Sequence, residues 1–171
     1  MRQIKINSTE GSEIVLVATA KDYMRVSTSV DDNIITRMIT LARIWCENYI
    51  SRDIVSKNRT YYMDETNGTF DLPFGPVASI SSVTSDGTSV SYSVLGLDNE
   101  TIELDGGYAD KVKVTYITSG LSDSLLQSAI MQLTSTYYDN RADFSSDQKS
   151  NVESIPTNVR DILNSYKAMY L

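Results

Sequence analysis

Carboxylates are the most abundant side chains in this chain that could do acid–base or metal chemistry, and their spacing argues against most of it. The 171 residues include 22 Asp and Glu, one cysteine and no histidine. The missing histidine removes His-based triads, His metal sites and the commonest general base together. Two carboxylates flanking a bond could hydrolyse a glycoside. Asp64 and Glu65, however, are neighbours in an alternating stretch and point to opposite faces. Glu103 and Asp105 share a face just before Gly106-Gly107, where a cation could be held loosely. Neither Asp98 nor Asp105 starts the ligand run of a calcium loop, so a solvated strand end with a tight turn is the expectation there. Phosphate-binding glycine motifs and the G-x-S-x-G elbow are both missing. Cys46 lies inside a helical apolar pattern and reads as a small core residue. Tyr61-Tyr62 and Tyr137-Tyr138 read as half-buried packing or interface positions. No catalytic residue, metal ligand or cofactor is assigned.

Charge narrows the partners further. The net charge is −7, and it is unevenly spread. Residues 53–118 hold 4 basic against 10 acidic groups, whereas residues 1–52 hold 7 against 6. Duplex DNA is held through clustered Lys and Arg, so phosphate-based DNA binding is not expected. The N-terminal MRQIKINSTEGSE has no apolar core of a signal peptide, and no apolar run is long enough to span a bilayer. An intracellular origin with no membrane partner is therefore expected.

The elements that must position these groups read as an α+β fold: a small helical bundle of about four helices with an inserted antiparallel β sandwich or barrel of about six short strands. A single domain is expected, with an N-terminal hairpin and two helices over 1–56, a β insert over 57–118, and a helix, polar linker and last helix over 119–171. QIKI and EIVLV predict two short strands joined by NSTEGS. Thr19 is the expected N-cap of a short helix reaching Val26, and Asp31-Asp32 open the main helix.

In that main helix, Ile34, Ile35, Met38, Ile39, Leu41, Ala42, Trp45, Cys46, Tyr49 and Ile50 fall within an arc of about 180°, and Arg43 and Glu47 fall on the polar side. One core contact needs only about 100°. The extra width suits either a second neighbour, such as another subunit, or the central helix of the fold. RTYYMD, GTFDLP, VASISSV, SVSYSVL, ETIELD and KVKVTYIT supply the strands, with a hairpin at Asp86-Gly87 and a sheet-edge bend between Pro73 and Pro76. A helix is predicted over 122–141, then a polar linker over 142–154. A final helix begins at Pro156 with Val159, Ile162, Leu163, Tyr166, Met169 and Tyr170 in one stripe. That helix can fold onto its own core or dock on another chain.

Five phrases in order resemble the head–tail connector, or adaptor, family of tailed bacteriophages. They are AKDYMRV closing a short helix, DDNIITRMITLARIWCENYISR, KVTYITSGLS entering the third helix, TYYDNR ending it, and IPTNVRDILNSY. The likeness runs over about residues 14–171 and leaves the first dozen unaccounted for. The linker and the insert strands follow no fixed family pattern.

The resemblance implies a structural, non-enzymatic virion protein, made in the bacterial host cytoplasm and located in the neck between the capsid's portal vertex and the tail. It implies a ring, of twelve copies, under the portal protein. Such a ring extends the DNA channel for packaging and ejection and joins the portal to a stopper or tail-completion protein, while DNA passes without sequence-specific binding. On that basis Ile155, Val159, Ile162, Leu163, Tyr166, Met169 and Tyr170 are the candidate portal contacts. Ile35, Ile39, Ile44, Cys46, Tyr61 and Tyr62 are candidates for the contact between subunits. Asp98, Glu100, Glu103, Asp105 and Asp110 are candidates for a carboxylate-lined channel wall. The alternative is a non-enzymatic glycan- or ligand-binding module built on the β insert, with Tyr92, Tyr108 and Tyr116 as its aromatics.

Overall fold

Alternating apolar residues and turn-forming pairs between 57 and 118 require an antiparallel β structure, and the helical periods on either side require a second layer of their own. A computed structural model describes residues 1–140 and 156–168. In chain order the elements are β1 (Arg2–Thr9), α1 (Val17–Met24), α2 (Asp32–Ile50), β2 (Lys57–Thr66), β3 (Thr69–Asp71), β4 (Val77–Ser85), β5 (Thr88–Ser89), β6 (Tyr92–Leu95), β7 (Thr101–Leu104), β8 (Ala109–Thr118), α3 (Ser124–Asp139) and α4 (Thr157–Asn164). They divide into two compact units. Met1–Ser12 with Ser51–Leu121 makes a β unit, and Glu13–Ile50 with Ser122–Leu171 makes a helical unit.

The β unit is a sandwich of a five-stranded antiparallel sheet, ordered β1-β2-β8-β4-β5, and a three-stranded one, ordered β3-β7-β6. It is not closed into a barrel. Its core alternates as antiparallel strands demand: Tyr61 and Met63 from β2, Val112, Val114 and Tyr116 from β8, and Ile102 and Leu104 from β7. The hairpin at Asp86-Gly87 forms, with both residues at positive φ (45° and 82°), the backbone that a two-residue turn needs. Seven strands, not six, lie between 57 and 118. The SVSYSVL run is divided because the chain changes sheet there. The Val90 N–H donates to Val83 O, and Ser91 O accepts from the Asp105 N–H.

One polar cluster is sealed inside this unit. Asp53, fully buried, accepts from Lys57 Nζ at 2.9 Å, from Arg59 Nε at 2.7 Å and Nη2 at 2.6 Å, and from Thr118 Oγ1 at 2.9 Å. The Arg59 guanidinium also lies 3.9 Å from the centre of the Phe74 ring. Burial pushes the Asp53 carboxyl up, but the hydrogen bonds and charges of Arg59 and Lys57 outweigh it and hold the group below its ordinary range. Gly120, which follows β8, has φ 75°, and a Cβ there would stand 2.7 Å from Ile54 O. Only glycine fits that close approach.

In the helical unit α2 packs on α3, α1 and α4, around Ile35, Ile39, Ala42, Cys46, Ile50, Leu126, Ala129, Ile130 and Leu133. Cys46 is fully buried, and burial, with Glu47 beside it, pushes its thiol up to about 12. It belongs to the core, as its pattern suggested. Asp123 caps α3, its carboxylate accepting from the Leu125 N–H at 2.7 Å. Thr134 is buried with no partner for Oγ1 among the described residues. Thr134→Val should therefore stabilise the protein by about 1 kcal/mol, read as an upward shift of the denaturant midpoint at unchanged slope. No helix among the described residues is long and apolar enough to cross a membrane.

Three local expectations are corrected. EIVLV forms no strand: Val15 is buried and Val17 opens α1. Glu13 instead turns to α2, accepting from Arg43 Nε at 2.7 Å and from Thr40 Oγ1 at 2.9 Å. Thr19 lies inside α1, not at its cap, because the helix starts after Leu16. Arg43 and Glu47, placed on the solvent side by their polarity, are buried. Arg43 Nη1 donates to Glu47 at 2.7 Å across one turn of α2, so each satisfies the other's charge.

Candidate subunit and partner surfaces

With the core of the helical unit assigned, the face of α2 turned away from it is left carrying Ile34, Leu41 and Ile44 in water. Leu41 is 57% and Ile44 41% exposed. Trp45 and Tyr49 stack beside them with ring centroids 5.1 Å apart. Leu41, Ile44, Trp45, Asn48 and Tyr137 line a shallow depression of about 350 Å³ between α2 and α3. Singly exposed apolar residues are ordinary, but a contiguous set around a Trp marks an interaction surface. The excess apolar width read in the sequence is this face. The residues that form it are only partly those expected. Ile35, Ile39 and Cys46 point into the helical core and Tyr61 into the β core, while Ile44 is exposed and Tyr62 half-exposed. Leu41 and Trp45, both in the original arc, are the positions the sequence did not single out. Their signal was an arc wider than one core contact requires.

The C-terminal stripe is divided in a similar way. Val159 and Leu163 of α4 are fully buried, with α4 packed on α3 and α2. Tyr49 Oη donates to Asn164 at 2.8 Å, and the Ala168 N–H donates to Ile50 O at 2.9 Å. Ile162 and Tyr166 remain partly open. The Tyr166 hydroxyl bonds the Asp123 carboxylate, which that bond and the Leu125 N–H hold below its ordinary range. Ile155, Met169 and Tyr170 lie outside the described residues.

The five carboxylates expected along one wall do not form one cluster. Asp98 and Glu100 flank Arg52, at 3.5 and 3.9 Å from Nη1. Burial pushes the Glu100 carboxyl up, against the pull of Arg52. Glu103 and Asp105 are exposed on β7 and the turn after it. Asp110 sits elsewhere, at the start of β8, accepting from Tyr108 Oη at 2.7 Å. Among the described residues no three His, Cys, Asp or Glu side chains gather where they could hold a metal ion.

No protein-family model and no curated protein matches the chain. Solved structures do. A chain in the neck of an empty gene transfer agent (GTA) particle, computed with C6 symmetry, superposes with a TM-score of 0.74 at 16% identity, over 99% of this chain and 97% of that one. Chains of the native particle's virion and of its neck computed with C12 symmetry follow at 0.72 and 0.71, with the same identity and coverage. This chain has the fold of a chain from a GTA particle's neck. The neck fold takes in both units, so the likeness is not that of a common sheet motif alone. The expected α+β fold is present, with four helices and two antiparallel sheets among the described residues.

Proposed function

We propose that this chain is a structural ring subunit of the neck of a phage-like particle. Twelve copies sit beneath the portal, extend the DNA channel and join the portal to a stopper or tail-completion protein. The observation that supports this reading is the whole-length likeness to neck chains in particles computed with C6 and C12 symmetry. The work done is mechanical, not catalytic.

The surfaces suit that role. A ring needs heterologous contacts, in which two different patches of one subunit meet. The Leu41–Ile44–Trp45 face supplies one apolar patch, and Ile44 and Tyr62 are the interface candidates that remain accessible. For the portal contact, Ile162 and Tyr166 are the open part of the α4 stripe, because Val159 and Leu163 are engaged in the chain's own core. The exposed carboxylates Asp98, Glu103, Asp105 and Asp110, with the partly covered Glu100, would give a channel wall that repels DNA phosphates and lets the duplex slide.

Native mass of the purified protein, alone and mixed with its cognate portal, tests the reading. The expected result is a species near twelve times 19.0 kDa, or stoichiometric capture on the portal ring. A monomer that ignores the portal would overturn it.

A further inference from the structure

The β unit ends differently on its two sides. On one side β1 is the edge of the larger sheet, paired only to β2, with all eight of its residues exposed. Its register sets Ile4 opposite Tyr61 and Ile6 opposite Arg59, so both isoleucines share the core-facing side of the sheet. Tyr61 and Arg59 are buried, yet Ile4 is 39% and Ile6 48% exposed. The smaller sheet therefore does not reach over β1, and an apolar ledge stands uncovered. Arg2, on the same side as the isoleucines, and Lys5, on the opposite side, give that strand two positive charges.

On the other side β6 is the edge of the smaller sheet, lying next in the chain after β5, which is the far edge of the larger one. β3, the opposite edge of the smaller sheet, follows β2 directly through Asn67 and Gly68, so β1 and β6 stand at opposite ends of the sandwich. Val94 pairs with fully buried Ile102 but is itself exposed, as are Leu95 and Leu97. The charges flanking this end, Glu103 and Asp105, are negative and exposed.

We infer that the β1 ledge of one subunit docks on the β6 end of a second copy. Edge to edge, Ile4 and Ile6 would meet Val94 on the core-facing side, and Lys5 would meet Leu95 and Glu103 on the outer side. The two edges are complementary on each side of the sheet, apolar to apolar inside and cation to carboxylate outside, and standing at opposite ends they come from different copies. A contact between unlike patches at opposite ends is heterologous, and it repeats from copy to copy until a ring closes. The charge on β1 also answers the hazard of an open edge strand, since it repels indiscriminate neighbours while accepting an acidic mate. This inference rests on the ring reading given above.

Crosslinking of the full chain tests it. Ile4→Cys and Val94→Cys are exposed substitutions, and buried Cys46 leaves little background for a short bismaleimide. The double variant should give a ladder of covalent multimers, and a mixture of the two single variants should give the mixed dimer in excess over either homodimer. K5E should lower that yield about three-fold, and adding E103K in the same chain should restore it. Rings detected by native mass without the Ile4–Val94 crosslink would overturn this contact while leaving the ring reading intact, with the ledge facing another neck component instead. Neither rings nor crosslinks, with or without the portal, would overturn both.

Discussion

Asp53→Ala should lower the stability of the protein by about 3–5 kcal/mol, the largest effect expected of any single carboxylate among the described residues. The substitution removes the carboxylate that Lys57 and Arg59 share and strips Thr118 Oγ1 of an acceptor. Asp53→Asn should recover part of the loss, because the amide oxygen can still accept from Arg59 while the charge is gone. The same cluster sets an acid response. The Asp53 carboxyl is held below its unfolded value, so its contribution is fully present above the unfolded carboxylate range, near pH 4, and is lost as pH falls through the lower folded value. Denaturant melts across that window should show stability falling with acid in the wild type and a flatter profile in Asp53→Asn. An unchanged slope would show that other carboxylates govern the acid transition.

Arg43→Ala should cost the helical unit a comparable amount, about 3–5 kcal/mol, by removing the buried guanidinium that pairs with both Glu47 and Glu13. The instructive comparison is the double replacement Arg43→Met with Glu47→Leu. Removing both buried charges and filling the space with apolar side chains is expected to recover part of that loss. Thermal melts of the two variants should therefore move apart, although the double variant changes more atoms. If both fall equally, the pair is held for its geometry with Glu13 and not for mutual neutralisation.

The strands and the two C-terminal helices were legible because their residues obey local rules. β2 and β8 alternate cleanly, Asp86-Gly87 can scarcely be anything but a tight hairpin, and Pro156 precedes an amphipathic turn. Glu13, Arg43 and Glu47 were not legible. Each is polar, so a helical or strand period assigns it to water, and the ion pairs that make the burial of Arg43 tolerable, with Glu47 one turn on and Glu13 30 residues away, leave no mark on that period. The EIVLV segment failed for a related reason. Its β-branched residues favour extended backbone, but Val15 is taken into the helical core and Glu13 is tied to α2, so tertiary contacts override local preference. For the surfaces, the excess width of the α2 arc was readable, whereas its composition was not. An arc says how much of a helix is apolar, and does not say which edge of it the core uses. The open edge of β1 was similarly invisible, since QIKI alternates just as a half-covered strand does.

The order in which the two units share the chain has a consequence for synthesis. β1 belongs to the sheet completed by residues near 118, and the helices of 13–50 belong to the bundle completed only by α3 and α4. A ribosome therefore releases α2 long before α3 and α4, on which it packs, and β1 and β2 before β8 extends their sheet. Closing such long loops is slow, and the early helices expose Ile35 and Ile39 meanwhile. Nascent chains halted before residue 118 should bind trigger-type holding chaperones strongly and resist no protease, whereas release of the finished chain should bring protection to both units within one interval.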